Sequence, residues 1–335
     1  MTAATLQSEL TVAAEHDAAG RHDEAINALA RGTGSGDVGC KTQLGKRLLA
    51  GDRAPALPAE GARFLYEAAV AGGPEAAARM AALSGLGHHF PHSWPNAMRW
   101  LVVAAKRGWE PARGQLRVLA DGTPEIDLAS WSTVPTGRDL SIAPRVRAVE
   151  TFITPAACDW LIARARLRLT RALVYDPGSR ENVARATRTN SVANFSLADV
   201  ELLDVLLQAK MSCACGVPMN QMEAPAVLHY AAGEEASDHF DFVNPNTADY
   251  AQEIARNGQR IVTFLVYLNE DYEGGETDFP KLGFSHKGRR GHGLFFVNAH
   301  TDMQPDLRML HAGRAPNQGE KWIVSQFIRS RPTRS

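Results

Sequence analysis

Small and apolar positions recur at a fixed spacing in the first third of the chain. Glycines stand 36 residues apart, and large apolar residues in the segments after them keep the same offset. The recurring positions are Gly36, Gly72 and Gly108, then Leu44, Met80 and Leu116, with Phe64 matching Trp100 in the preceding segments. A period in the mid-thirties with small residues at constant places is typical of stacked helical pairs. The pattern therefore predicts helical repeats over roughly residues 20–120.

The pattern of residues changes after the repeats. The next two dozen residues lose the helical period and gather Pro, Gly, Ser and Thr, which predicts a linker. Thr154 before Pro155 is a typical helix start, and an apolar run over residues 198–216 predicts a second helix. From Ala224 onward, short apolar runs bounded by turn residues predict β-strands. The predicted fold class is α+β, with strands in a sandwich or barrel and helices covering one face.

These changes divide the chain into three parts. We predict a helical repeat domain at residues 1–120, a linker at 121–144 and a second, strand-rich domain at 145–335. A length of 335 residues agrees with about two domains, and 44% hydrophobic residues are enough to bury a core in each.

Charge and composition exclude several classes of protein. Lys and Arg total 36 against 37 Asp and Glu, so the net charge of −1 disfavours a general nucleic-acid binder. No apolar stretch approaches the ~20 residues of a membrane span, and the first twenty residues lack the basic start and apolar run of a signal peptide. Four cysteines do not make a disulfide framework. We therefore expect a soluble, cytoplasmic protein with no nucleic-acid or membrane partner.

Three residues form a candidate metal site. His239 and Asp241 make a His-x-Asp pair on an extended segment, where alternate side chains share one face. His311, 72 residues after His239, adds a second imidazole. Two imidazoles and one carboxylate are the facial ligand set of non-haem Fe(II) oxygenases. A His-x-Asp pair alone is a weak signal, and an ordinary structural role stays open at this point.

Two more residues strengthen this hypothesis. Lys321 follows the second histidine by ten residues. A buried cation there would pair with the far carboxylate of a dicarboxylate cosubstrate whose other end binds the metal. Tyr230, nine residues before the first histidine, would donate a hydroxyl to the same carboxylate.

Four motifs around these residues occur in one order. They are Y-x8-HFD, QR-x2-T-x3-YLN, GGETDF and LHAG-x5-GEKW. With them the segment from about Val146 to Arg329 resembles the prolyl 4-hydroxylase-like group of 2-oxoglutarate- and Fe(II)-dependent dioxygenases. The resemblance covers more than half of the chain. The repeats over residues 20–120 resemble the Sel-like repeat, a relative of the tetratricopeptide repeat.

The resemblance implies a fold and a set of residue roles. The implied fold is the double-stranded β-helix, or jelly roll, with supporting helices. The implied iron ligands are His239, Asp241 and His311, the implied 2-oxoglutarate-binding residues are Lys321, Tyr230 and Thr277, and the implied active-site arginine facing the substrate is Arg260. The implied cofactor is Fe(II), with 2-oxoglutarate and O2 as cosubstrates and ascorbate as a candidate reductant.

The implied reaction is hydroxylation of a C–H bond with release of succinate and CO2. Peptidyl proline is the first substrate expected, as in a procollagen-proline 4-dioxygenase, and the repeats are expected to recruit the protein or peptide. Two departures bear on this: Ala236 stands where family members often have an aromatic residue, and Phe327 where some have Trp. Hydroxylation of another residue, a free amino acid or a small metabolite stays open, as does a non-catalytic adaptor built on the repeats.

Overall fold

The computed structural model describes residues 8–123, 126–133, 136–176 and 181–333. These residues form two compact units. The first contains the described residues up to Arg117 together with Ser196–Leu206. The second contains Val118–Phe195 and the chain from Leu207 onward.

Seven consecutive helices make up most of the described part of the first unit, and the first residues of a helix that begins at Leu202 also belong to it. The seven are α1 (Glu9–Ala18), α2 (His22–Gly34), α3 (Val38–Ala50), α4 (Pro58–Val70), α5 (Pro74–Leu86), α6 (Trp94–Lys106) and α7 (Glu110–Ala120). Helices α1 to α6 pack mainly on their neighbours along the chain. Gly36, Gly72 and Gly108 lie in the short turns after α2, α4 and α6, with φ of +89°, +108° and +91°. Glycine adopts such angles at little cost, which explains the 36-residue recurrence. The predicted helical repeats are confirmed.

Small residues let these helices approach closely. A Cβ atom added to Gly61 in α4 would lie 2.4 Å from the backbone nitrogen of Leu49 and 2.6 Å from the carbonyl oxygen of Gly45, both in α3. Alanines fill most of the remaining interior of the repeats, with Ala68 and Ala77 among those fully buried. Because the helix backbones are nearly in contact, this core has little room for larger side chains.

The segment Ser196–Leu206 belongs to the repeat unit through a buried polar network. Arg79 in α5 is only 4% exposed, donates to the carbonyl of Val200 (2.9 Å) and pairs with Glu201. Gln115 in α7 donates to the other oxygen of Glu201 at 2.7 Å. Both terminal nitrogens of Arg79 and both carboxylate oxygens of Glu201 have partners, whereas the Nε atom of Arg79 has none among the described residues. Loss of either charged partner would leave the other buried without compensation. The network therefore ties a late segment of the sequence into the core of the repeats.

Three further helices and sixteen strands complete the described parts of the chain. The helices are α8 (Pro155–Arg166), α9 (Leu202–Cys215) and α10 (Ala248–Asn257). The strands are β1 (Gly137–Ser141), β2 (Val146–Val149), β3 (Thr170–Arg171), β4 (Val174–Asp176), β5 (Glu181–Val183), β6 (Ser191–Asn194), β7 (Ala226–Tyr230), β8 (Ala236–His239), β9 (Arg260–Tyr267), β10 (Glu273–Gly274), β11 (Thr277–Phe279), β12 (Phe284–His286), β13 (Gly293–Val297), β14 (His311–Gly313), β15 (Pro316–Gln318) and β16 (Lys321–Arg329).

The strands of the second unit form two main antiparallel sheets. In the described residues the larger has the order β1-β2-β13-β9-β16-β7-β6-β3 and the smaller β12-β11-β14-β8, with two short hairpin-like pairs, β10-β15 and β4-β5. The four long apolar runs predicted as strands are β7, β9, β13 and β16, and they lie side by side in the larger sheet. Leu265 and Phe296 of the larger sheet share one buried core with Phe279 of the smaller. This is the predicted jelly roll.

Local signals in this unit also have the expected outcome. The Thr154 hydroxyl accepts a hydrogen bond from the backbone of Ala157 and caps α8, and Pro155 is its first residue. Residues 137–141, which lie within the predicted linker, form β1 and pair with β2 at the sheet edge. Their alternation is too polar and too short to have predicted a strand. None of the helices in the described ranges combines the length and apolar character needed to cross a lipid bilayer.

Candidate metal centre and adjoining pockets

The smaller sheet brings the candidate metal ligands together. His311 in β14 lies directly opposite His239 in β8 in the antiparallel register. Asp241 follows β8 by two residues, on the same face as the first histidine. One ligand atom from each of the three side chains can be chosen so that all lie within 4.8 Å of one another. The side chains of His239, Asp241 and His311, called the trio below, therefore converge on one point.

Backbone carbonyls orient both imidazoles. The Nδ1 atom of His239 donates to the carbonyl of Ser237 (2.7 Å), and Nδ1 of His311 donates to the carbonyl of Met309 (3.0 Å). The Nε2 atoms therefore turn toward Asp241, at 3.5 Å and 3.2 Å from its two oxygens. Such contacts at the second ring nitrogen fix the tautomer and position of a metal-binding histidine.

The carboxylate of the trio is held in its ionised form. Burial alone would raise the pKa of Asp241, but the adjacent imidazoles of His311 and His239 outweigh this and hold the pKa well below its usual range. The buried Asp241 side chain is thus held as a carboxylate beside the two imidazoles. This donor set suits a divalent transition metal with open coordination positions.

Two residues outside the sequence hypothesis support this carboxylate. The hydroxyl of Thr263 in β9 donates to Asp241 at 2.7 Å. The side-chain amide of Asn298 donates in turn to that hydroxyl at 2.9 Å. Thr263 was visible as the Thr of the QR-x2-T motif, but the spacing gave no reason to place it against the acid. Nothing in the pattern around Asn298 pointed to the site.

Beside the trio lies a narrow cavity that contains the predicted cosubstrate residues. Tyr230, Thr277 and Lys321 line it together with the three candidate metal ligands. Lys321 opens β16 and pairs in register with Tyr230 at the end of β7, so both side chains share one face of the larger sheet. The structure thus brings together six of the seven predicted site residues around one cavity.

Lys321 is the least compensated charge in this cavity. Its side chain is fully buried, its Nζ atom has no hydrogen-bond partner among the described residues, and it lies 5.0 Å from the centre of the Tyr230 ring. Burial lowers the pKa of Lys321 to about 7, and Glu276 opposes this only in part. A buried ammonium group without a partner is costly unless an anion binds to it. The position suits the carboxylate of a bound molecule.

The two hydroxyls near Lys321 differ in their surroundings. Burial raises the pKa of Tyr230 to about 12, so its hydroxyl keeps its proton and is a donor. Gly313 leaves room for this hydroxyl, because a Cβ atom there would lie 3.2 Å from it. The hydroxyl of Thr277 is hydrogen-bonded to that of Tyr267 at 2.8 Å. Two residues with hydroxyl groups, Tyr230 and Thr277, therefore line the cavity beside Lys321.

A wider groove of about 1040 Å³ is lined by two residues of the trio, His239 and Asp241. Arg260, the seventh predicted residue, lies in its wall, where Glu223 accepts from Nε (2.7 Å) and from the terminal nitrogen (2.9 Å). The guanidinium group also covers the ring of Phe327 at 3.9 Å. Phe240, 36% exposed, lies on the same wall stacked on Phe242. The groove combines apolar surface with a fixed cation, as a substrate site requires.

One further residue of the groove was not predicted from the sequence. Arg188 lines both the narrow cavity and the wide groove. It lies before the strand-rich half, in a basic stretch with Arg185, where the sequence reads as an ordinary loop. Only its three-dimensional position beside β8 distinguishes it.

Comparison with known proteins identifies the family. The pattern of the 2OG-Fe(II) oxygenase superfamily matches residues 225–329. Prolyl 4-hydroxylase 1 of Arabidopsis thaliana is 30% identical over 232 residues, which cover 64% of this chain and 76% of that protein. The chain belongs to the prolyl 4-hydroxylase family of 2OG-Fe(II) oxygenases. Probable prolyl 4-hydroxylase 7 of the same plant is 31% identical, and the aligned part makes up 64% of its length. The chain therefore spans about two thirds of the length of these relatives.

Two solved structures are also similar to parts of the chain. A viral collagen prolyl hydroxylase from Paramecium Bursaria Chlorella virus-1, in a 2OG complex, aligns with a TM-score of 0.44 and 25% identity, covering 56% of this chain and 96% of that one. A Sel1 repeat protein from Oxalobacter formigenes aligns with a TM-score of 0.32 and 18% identity, covering 36% of this chain and 51% of that one.

The side chains fit the cofactors of this family, which are Fe(II) and 2-oxoglutarate with O2 as oxidant. Two imidazoles and a carboxylate converge as the metal requires. An unpartnered ammonium group lies in the adjoining cavity, where a dicarboxylate bound to the metal would extend.

Proposed function

We propose that the chain hydroxylates proline residues of a protein or peptide, using 2-oxoglutarate and O2 and releasing succinate and CO2. The relatives named prolyl 4-hydroxylase support this activity. The single observation that carries it is the His–Asp–His trio facing one cavity with the unpartnered Lys321 ammonium group. No other arrangement in the described residues combines a three-residue metal site with a buried cation.

We assign the roles of the seven residues as follows. His239, Asp241 and His311 hold Fe(II), Lys321 binds the distal carboxylate of 2-oxoglutarate with hydroxyl donors from Tyr230 and Thr277, and Arg260 faces the substrate. When bound, the metal and 2-oxoglutarate supply activated oxygen for insertion into a substrate C–H bond. The protein supplies position and a shielded pocket.

The supporting residues explain how that position is kept. The carbonyls of Ser237 and Met309 hold the imidazoles with their Nε2 atoms inward. The hydroxyl of Thr263 holds the Asp241 carboxylate, so the acid does not rotate away from the metal. Apolar walls exclude water from Lys321, which strengthens its attraction for a carboxylate compared with bulk solvent.

The wide groove supports a chain-like substrate rather than an enclosed small molecule. Its volume of about 1040 Å³, the exposed ring of Phe240 and the fixed guanidinium group of Arg260 suit an extended peptide. Ala236 provides no aromatic contact beside the metal site, so recognition of the proline ring depends more on the remaining wall, including Phe240. Hydroxylation of another residue or of a free amino acid is the alternative that the same groove admits.

We further propose that the helical repeats recruit the protein substrate and that the protein works in the cytoplasm. Stacked helical pairs commonly present an extended binding surface. All four cysteines are free, as a reducing compartment would require. A repeat unit acting as a non-catalytic adaptor is the competing hypothesis, and it predicts no turnover.

The test is succinate formation by the anaerobically iron-loaded chain, given 2-oxoglutarate and O2, with and without a cell peptide extract. We expect stimulation by the extract and a product heavier by one oxygen atom on proline, identified by mass spectrometry. His239→Ala should remove the activity, whereas His300→Ala, at an exposed histidine outside the site, should keep it. Absence of turnover with iron verified in the protein would contradict the proposal and favour the adaptor.

A further inference from the structure

Arg188 is attached to the strand that carries the first candidate metal ligand. The carbonyl of Thr187 accepts a hydrogen bond from the backbone of Ser237 (2.9 Å), and the backbone of Thr189 donates to the carbonyl of Glu235 (2.9 Å). Arg188 itself forms an antiparallel bridge with Ala236. These contacts continue the smaller sheet beyond β8. Backbone hydrogen bonds on both sides of Arg188 therefore fix the position from which its side chain extends.

The side chain opposite Arg188 is small. Directly opposite residues in an antiparallel pair project from the same face. Ala236 is buried and lines the narrow cavity together with the arginine. A methyl group at this position leaves the guanidinium group accessible from both the cavity and the groove, where a ring would cover it. Ala236, which stands where family members often have an aromatic residue, is thus the residue that lies opposite Arg188.

Arg188 provides a donor that is not satisfied within the described part of the chain. Its Nε atom is buried and has no hydrogen-bond partner there. Arg260, the other arginine of the groove wall, is already engaged by Glu223 in two hydrogen bonds. Arginine keeps its charge at any physiological pH, so an anion that enters the groove would find in Arg188 a charged donor with an unsatisfied Nε–H group.

We propose that Arg188 binds a carboxylate of the substrate, so that the groove selects an acidic residue next to the residue that is hydroxylated. The inference rests on the proposed function. A planar guanidinium group pairs with a carboxylate through two parallel hydrogen bonds, which gives direction as well as charge. The distal carboxylate of the cosubstrate already has Lys321 deeper in the cavity, whereas Arg188 extends into the groove near the exposed Leu173 and Phe240.

The test measures peptide binding without turnover. The full chain is loaded with Mn(II) and 2-oxoglutarate in the absence of O2. Its affinity is then measured for decapeptides with one central proline whose two neighbours are Glu, Gln or Lys. The wild type is expected to bind the Glu peptide roughly tenfold to a hundredfold more tightly than the Gln peptide, as suits a charged hydrogen bond, and the Lys peptide most weakly.

Variants then assign this preference to one side chain. Arg188→Gln should reduce the Glu-to-Gln ratio to about one, and Arg188→Lys should keep part of it, since the charge remains but the paired geometry is lost. Arg185→Gln is the matched control, because it removes a charge from the same stretch but lies outside both cavities, and it should leave the ratio unchanged.

Three results would overturn the inference. They are equal affinity of the wild type for the Glu and Gln peptides, no binding of either peptide, or loss of 2-oxoglutarate affinity in Arg188→Gln with the peptide ratio unchanged. The last would show that Arg188 serves the cosubstrate. The succinate assay with peptide extract is independent of these peptides, so failure of the proposed function appears there as absent turnover.

Discussion

Replacing Lys321 with methionine should stabilise the protein without 2-oxoglutarate and remove most of its affinity for that molecule. Methionine fills a similar volume but carries no charge to bury. Burial moves the pKa of Lys321 from its ordinary value of 10.5 to about 7. That difference corresponds to roughly 5 kcal/mol of unfavourable free energy for the buried ammonium group. In the proposed function this cost is offset when the ammonium group binds the distal carboxylate of 2-oxoglutarate.

Because burial lowers the pKa of Lys321, the stability of the wild type depends on pH. Below about pH 7 the lysine is protonated in the folded and the unfolded chain, and the full cost of burial is present. Between about pH 7 and 10.5 the unfolded chain binds the additional proton, so the stability of the wild type rises with pH. The advantage of Lys321→Met should therefore be largest near pH 6.5 and shrink toward pH 10.

Thermal unfolding at pH 6.5, 8 and 9.5 measures this difference, and titration calorimetry on the Mn(II)-loaded chain measures 2-oxoglutarate affinity. We expect a rise in Tm on the order of 10 °C at pH 6.5 and an affinity lower by about a hundredfold or more. Lys281→Met, at an exposed lysine of the same unit, should change neither. The reasoning is refuted if Lys321→Met is less stable than wild type at pH 6.5, or binds 2-oxoglutarate as well.

Asp241→Ala should abolish Mn(II) binding in equilibrium dialysis while the circular dichroism spectrum stays that of the wild type; retained metal affinity would contradict the ligand assignment. Thr263→Val removes the donor to that carboxylate and should weaken Mn(II) binding about tenfold or more; an unchanged affinity would show that the hydroxyl is dispensable. Gly61→Ala should lower the free energy of unfolding in urea by about 2 kcal/mol or more, because the added Cβ atom would lie 2.4 Å from a backbone nitrogen. Gly34→Ala, where the added Cβ atom has no neighbour within 4 Å, should leave the free energy of unfolding unchanged. Equal effects of the two substitutions would refute the close-packing argument. Arg79→Met leaves its partner carboxylate buried and uncompensated, so the free energy of unfolding should fall by about 3–5 kcal/mol, and a loss below 1 kcal/mol would contradict this.

The strong signals in the sequence are those that repeat or alternate over many residues. The 36-residue glycine period predicted the helical turns because each turn needs the same backbone angle. Long apolar strands such as β9 and β16 were predictable because they are buried along most of their length. The strands of the smaller sheet have only three or four residues, and β8 reads Ala-Ser-Asp-His. Such a segment has no pattern to detect.

The parts that could not be predicted depend on contacts between distant residues. Thr263 and Asn298 reach the metal site only because β9 and β13 are adjacent in the sheet. Arg188 reaches the groove through backbone pairing with a segment almost fifty residues later. Glu201 joins the repeats through Arg79, 122 residues earlier in the chain. None of these pairs leaves a periodicity, since each is a single contact.

The segment Ser196–Leu206 has a consequence for synthesis on the ribosome. The helices of the repeats emerge first, but Glu201, the buried partner of Arg79 and Gln115, is translated 81 residues after the seventh helix ends at Ala120. At about 5–20 residues per second the delay is roughly 4–16 s. During that time the nascent helices carry an arginine and a glutamine in an unfinished interior. The part of the protein that is made first is therefore completed late, and a truncation after the seventh helix would leave it permanently incomplete.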